Sequence, residues 1–551
     1  MRSLVSLMAA ALGLAAIVSA QSEPEVRSLD LDGRLIRYQV RGGFAVVEGD
    51  IIIGTAAQAE AARHSSTGKS PQPLASVLKF NTANPQKWPE ATMAYAIDAD
   101  IPNPQRILDG IAHWNARTQF KIVPRTTEAN YVHFTRSLAT DFACSSYLGM
   151  IGGAQEIATT AACNTGSVIH ELGHAWGLNH EQVRADRNGN VTVLYQNMDK
   201  RFIYNFDQKL TSSTDAAYYD FDSIMHYGAT GFTRNGLDSM ETVPVGIPIG
   251  QRNGLSAGDI DGISRAYGFT PTATTITTAP AGLPITVDGV SAVSPKSFDW
   301  APGSTHTIAV ATQAGSADPR YVFVRWSDGG DASHTITASP GQTVFCAVYQ
   351  TQHKFAYDVA SGSGAVAAFP VAADGYFPER QPVRVTATPA EGSQFIRWVA
   401  TGTTNLEASG SSLSTADATV QVQSANTQYL ATFSTLPLTT IDSNPRGLRV
   451  TVDGTSNLTP LRFAWTAGST HTLDLAASQT FGNNTVHYQF TGWDNGSAAT
   501  ARTVTAGNGA ATFTAGFSTK YLLTADTIGS GTIALSPSSP DGYYDAGTQV
   551  R

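Results

Sequence analysis

The stretch His170-Glu171-Leu172-Gly173-His174-Ala175-Trp176-Gly177-Leu178-Asn179-His180-Glu181 decides how the rest of this 551-residue chain is read. It gathers three of the chain's 12 histidines beside a carboxylate. His170 and His174 stand one helical turn apart, so both imidazoles leave one face of a helix and can share a cation. Zinc held by three histidines keeps a fourth position open. Glu171 leaves the helix at another azimuth, suited to hold a water and take its proton. Gly177 predicts the end of the helix, because glycine accepts positive φ and lets His180 swing back as third ligand. The H-E-x-x-H core alone is a weak signal; Gly177 and His180 at this spacing make it specific.

The bulk composition agrees with an exported, multidomain protein. A chain of this length exceeds a single core. Its 14% charged residues and 50 glycines suit extracellular β-rich modules. The net charge of −9, without any Lys/Arg block, excludes the electrostatic footprint of a nucleic-acid binder. Arg2, the apolar run from Leu4 to Val18 and the small residues Val18-Ser19-Ala20 read as a signal peptide over 1–20. That run is too short for a transmembrane anchor, and no other segment is long and apolar enough, so a secreted protein is expected. Of the three cysteines, Cys144 and Cys163 can close a small loop, which leaves Cys346 as an odd thiol.

Texture divides the chain further. Residues 21–84 are charged early and Ala/Ser-rich later, a linker or a pro-segment. From 85 to 270 a compact α+β unit is expected: "MAYAID" (93–98) alternates as a strand, and "QRILDGIAHWNARTQF" (105–120) sets Ile107, Leu108, Ile111 and Trp114 on one helical face. "TPTATTITTAP" reads as a Thr/Pro/Ala linker, placed at 271–280. Beyond it the chain repeats. "VDGVSAVSPKSFDWAPGSTHTIAV" (287–310) returns as "VDGTSNLTPLRFAWTAGSTHTLDL" (452–475), and "DGYFPERQPVR" (374–384) as "DGYYDAGTQVR" (541–551). The tail is therefore an A-B-A-B array of small all-β modules: A over 281–351, B over 352–436, A again over 437–519, and a truncated B over 520–551. Cys346 aligns with Thr514 in the sister copy, so its thiol carries no expected role. His306 and His471 are read as turn or strand residues, and "DRNGNV" (186–191) lacks the glycine and glutamate of a calcium loop.

"HELGHAWGLNHEQVRADR" resembles the zinc signature of the astacin metallopeptidases, in the metzincin group. "YDFDSIMHYG" (219–228) is similar to the family's Met-turn, with Met225 beneath the metal and Tyr227 two residues on. The resemblance covers roughly 85–268 and implies a metzincin-type α+β catalytic domain with one Zn²⁺ on His170, His174 and His180. It also implies Glu171 as general base, Tyr227 as a switchable ligand that supports the transition state, and a Cys144–Cys163 disulfide. A second family disulfide is missing. "VVEGDIIIG" resembles the pro-segment motif whose aspartate, here Asp50, blocks the metal. Glu181 is implied as the residue that meets the new N-terminus after activation. His226 is read as a packing residue. The implied activity is a secreted, latent zinc endopeptidase acting on protein or peptide substrates laid along an edge strand near 149–156. The tail resembles divergent internalin-type B repeats of bacterial surface proteins, with cell-surface or matrix ligands as its implied partners. The rival reading is a surface adhesin with a non-catalytic protease-like domain.

Overall fold

The computed structural model describes residues 26–31, 34–65, 85–138, 143–208, 218–312, 318–405, 412–481, 486–523, 525 and 533–551. The expected signal peptide lies outside these residues, as do 21–25 and 66–84 of the expected pro-segment. Among the described residues no helix is long and apolar enough to cross a membrane.

Residues 26–65, loosely patterned in sequence, fold into β1 (Val26–Leu31), β2 (Arg34–Arg41), β3 (Phe44–Val47), β4 (Ile51–Thr55) and α1 (Ala56–Ser65). The Ala-rich texture that suggested loose chain makes a helix, since alanine is the best helix former and lies flat on a sheet. Ala59 and Ala62 of α1 pack with Tyr38, Ala45, Val47, Ile51 and Ile53 of the strands.

This meander continues the sheet of the next unit, which contributes β5 (Thr92–Ile97), β6 (Lys121–Pro124), β7 (Tyr131–Arg136), β8 (Cys144–Tyr147) and β9 (Ala154–Thr159). The order is β1-β2-β3-β4-β8-β9-β7-β5-β6, with β8 antiparallel to β9. β4 joins β8 in parallel, Ile51 opposite Ser146 and Ile52 opposite Tyr147. The unit's own edge is therefore β8, which corrects the expected edge near 149–156. Residues 148–153 form bends, and β9 is already paired on both sides.

Beneath the sheet, α2 (Gln105–Arg117) packs on α3 (Thr165–Trp176), and α4 (Ala257–Ala266) closes the unit. Ile107, Ile111 and Trp114 of α2 are buried as the periodicity predicts, but Leu108 is 37% exposed. One residue on from Ile107, it is rotated about 100° off the face that meets α3. The Trp114 indole donates to the Ile169 carbonyl at 3.0 Å and so ties α2 to α3. The Cys144–Cys163 disulfide, with Cα atoms 5.4 Å apart, joins β8 to the approach of α3. A ribbon of β10 (Val191–Val193) and β11 (Met240–Thr242) lies in the lower part of the unit.

The tail is all β, as expected. Module A holds β12 (Thr274–Ala279), β13 (Pro284–Val287), β14 (Val290–Val293), β15 (Lys296–Phe298), β16 (Thr305–Ala309), β17 (Arg320–Trp326), β18 (Ser333–Thr337) and the first half of β19 (Val344–Ser361). β12 corrects the linker expected at 271–280. Its Thr-Thr-Ile-Thr-Thr run is β-branched and suits a pleated surface, and Ile276 is wholly buried between β15 and β19. β19 runs unbroken from module A into module B, pairing with β12 and β17 first and with Thr427–Ser434 later. The border expected at 351/352 thus falls inside a strand. Ala511–Leu522 plays the same part in the second A unit.

Candidate metal centre

α3 starts at Asn164, whose side chain accepts from the Ser167 amide, and ends where Gly177 turns left-handed at φ 110°. The Gly177 amide bonds to the Gly173 and His174 carbonyls, and the Leu178 amide to that of Gly173. This reversal brings His180 back over the helix. The ring centroids of His170 and His174, and of His174 and His180, are 4.7 Å apart; those of His170 and His180 are 5.3 Å apart. Gly173 is required here too. A Cβ at that position would stand 2.7 Å from the Met225 sulfur, so Met225 packs directly on the helix backbone.

Each imidazole is aimed by its Nδ1. His170 donates to the Ile224 carbonyl at 2.7 Å and His174 to that of Leu178 at 2.8 Å, while His180 meets the Glu48 carboxylate at 3.1 Å. Such outer contacts fix both tautomer and ring orientation. The three Nε2 atoms converge on the Asp50 carboxylate at 3.3, 3.6 and 3.2 Å. Ligand atoms of Asp50, His170, His174 and His180 all lie within 4.8 Å of one another. A tetrahedron with bonds of about 2.0–2.1 Å has edges of roughly 3.3–3.4 Å. Nε2 of His170 and of His174 are buried without a hydrogen-bond partner, a costly arrangement that a shared cation resolves. The donor set therefore fits one zinc ion.

Burial governs the charges. It pushes His170 down to about 3, against the Asp50 hydrogen bond, and lowers His174 as well, so both rings are neutral and ready as ligands. His180 is raised instead, because Asp50 and Glu48 outweigh its burial. Asp50 is held well below the usual carboxylate range: burial opposes this, but the His180 charge and the three histidine bonds prevail. Glu171 is pushed well above its usual range by burial, then by the Asp50 charge, with Arg252 opposing. The buried Tyr227 hydroxyl is also raised well above its ordinary value, so it stays a hydrogen-bond donor. It donates to the Glu48 carbonyl, and its ring stands 4.6 Å from that of His180.

Every residue singled out from sequence lies in or beside this cluster. Glu181 accepts from the Asp220 amide at 2.8 Å and pairs with Arg184 at 3.2 Å; burial pushes it up to about 8. His226 bonds to the Tyr219 hydroxyl and to the Tyr227 carbonyl, a packing role as read. Three residues escaped the sequence reading. Glu48 stands two positions before Asp50 and supports His180. Arg252 donates to the carbonyls of Ile224 and His226 at 3.0 and 3.1 Å and lines the cleft with Glu171 and Phe232. Asp259 accepts from Ser223 and the Ile224 amide, tying the Met225 turn to α4. Only Asp259 carried a readable signal, the capping box it forms with Ser256.

Fold and site together define a metal-binding α+β domain whose cleft is filled by its own N-terminal segment. Residues 80–268 belong to the astacin family of peptidases, and residues 358–437 to the divergent InlB B-repeat domains. Zinc metalloproteinase nas-13 of Caenorhabditis elegans is 34% identical over 200 residues, 35% of this chain and 43% of its own length. High choriolytic enzyme 1 of Oryzias latipes is 37% identical over 158 residues, 28% of this chain and 57% of its own. The solved structure of that hatching enzyme, a zinc-protease, aligns at 32% identity over 34% of this chain and 96% of its own, with a TM-score of 0.31. The chain spans about half the length of these two curated relatives.

Proposed function

We propose that this chain is a secreted zinc-dependent endopeptidase made in latent form, with residues 26–65 as its inhibitory segment. The observation that carries this reading is how that segment fills the site. Asp50 faces all three histidines, the Glu48 carbonyl takes the Tyr227 hydroxyl, and β4 covers the backbone edge of β8. β4 and β8 run in parallel, and their pairing supports removal of the segment as the step that frees the cleft.

Zinc, when bound by His170, His174 and His180, supplies a Lewis acid that polarises a peptide carbonyl and acidifies water. An extended substrate takes the place of β4 and pairs with β8 through its backbone. Glu171 removes the proton of the attacking water and returns it to the leaving amine. Tyr227, released from Glu48, donates to the oxygen that gains charge on the scissile carbonyl. Arg252 holds the turn that carries Met225 and Tyr227. The B-repeat tail is the part of the chain suited to cell-surface or matrix ligands.

The test compares the chain before and after removal of its N-terminal segment, measuring metal content and peptide cleavage, with Glu171→Ala as control. One zinc per chain is expected, with cleavage only after removal, lowered roughly 10²–10⁴-fold by the substitution. Bound zinc without cleavage of a broad peptide library would make this a surface adhesin with a non-catalytic domain. Absence of zinc would end the metal reading.

A further inference from the structure

Resting on that reading, we infer that the catalytic unit extends into the tail: Arg380 of module B is a positioning residue for Tyr227. Its guanidinium bonds to Asp238, a carboxylate only 2% exposed, whose second oxygen takes Gln421 Nε2 at 3.1 Å. Both partners come from module B. Asp238 precedes Ser239, and the amides of Ser239 and Met240 both donate to the Ala229 carbonyl, at 2.7 and 3.0 Å. Ala229 lies two residues beyond Tyr227. Module A holds the same loop from its other side, because Val348 of β19 is buried in one apolar cluster with Tyr227, Phe206 and Met240. The Thr351 amide donates to the Gly246 carbonyl at 2.7 Å and sets the register of that contact.

The repeat supplies an internal reference. Aligned as "DGYFPERQPVR" and "DGYYDAGTQVR", the two B units place Arg380 opposite Gly547. Gly547 has φ 84°, the left-handed region in which glycine is at ease. Arg380 has φ 65°, where a long side chain is strained. An arginine held at a glycine position, with its guanidinium on a buried carboxylate of another unit, is a residue kept for that contact. The copy without such a neighbour has glycine.

The experiment uses the full chain and its segment-free form, with Arg380→Gly, which restores the repeat's own residue and relieves the backbone, and Arg380→Lys. Arg380→Gly is expected to fold normally, to leave KM near that of the parent and to lower kcat about tenfold. Arg380→Lys recovers part of that loss. In a Tyr227→Phe background Arg380→Gly costs nothing further. Equal loss in both backgrounds, or no loss, overturns the inference. Hydrogen exchange of the 228–240 amides is measured in parallel on the full chain and needs no cleavage at all. Faster exchange in Arg380→Gly supports the coupling even if the parent proves to be no peptidase; unchanged exchange overturns it.

Discussion

Module A and its repeat share a sequence pattern and a strand order, yet among the described residues only the first copy is packed on the metal-binding unit. The two differ where that packing occurs. Thr343 of module A bonds to Asp261 and accepts from Arg265 at 2.8 Å; the repeat has Ala511 there. Arg325 reaches Asn190 at 2.7 Å and stands over the Phe221 ring at 5.7 Å, where the repeat has Gly492. Gln350 donates to the Val245 carbonyl at 2.7 Å; the repeat has Ser518. Val348 fills an apolar cluster, and Gly516 takes its place in the copy. The residues that build each module alone are retained: Trp326 and Trp493, Ile276 and Ile441, Ile308 and Leu473 are all buried. One fold can thus serve as a docked part or as a spacer, and a handful of side chains on one face decides which.

The largest test of this contrast removes the same core residue from each copy. Trp326→Ala and Trp493→Ala should each cost about 3–5 kcal/mol in their own module, seen as a lowered calorimetric transition. Only Trp326→Ala should also impair cleavage; equal impairment by both would break the distinction. The next effect is on pH. Burial and the neighbouring Asp259 push Asp220 up to about 7, so the folded unit keeps a proton that the unfolded chain releases at lower pH. Its stability is therefore fully present below the usual aspartate range and is lost as pH rises through about 7. Asp220→Asn should flatten that slope in thermal melts, with the transition of the repeat as reference. The smallest test exchanges one residue between copies. Thr343→Ala should destabilise the docked unit by about 1–2 kcal/mol, because it strips a bond from the buried Asp261, whereas Ala511→Thr should change the repeat by less than about 0.5 kcal/mol.

The metal centre was legible because its three histidines obey helical spacing and a glycine stop, rules that act within a dozen residues. The repeats were legible because the chain carries its own comparison. What sequence could not supply was pairing across distance. Nothing near Asp238 points to Arg380, 142 residues away. Composition misled twice for one reason: the alanines of α1 and the threonines of β12 read as loose chain, although each is a good former of the element it enters. The edge strand was misplaced by a few residues because periodicity cannot tell a strand with one neighbour from a strand with two. Leu108 was misassigned because a helical face is narrower than the run of apolar residues that suggests it.

β19 has a mechanical consequence. Eighteen residues at about 3.3–3.4 Å each make a strut of roughly 60 Å, with parallel partners in both modules it crosses. A pull along it loads the bonds to its neighbours together, in shear, instead of unzipping them one at a time. If the tail grips a surface while the N-terminal domain holds a fibre or a cell, tension between the two passes through a member with no joint.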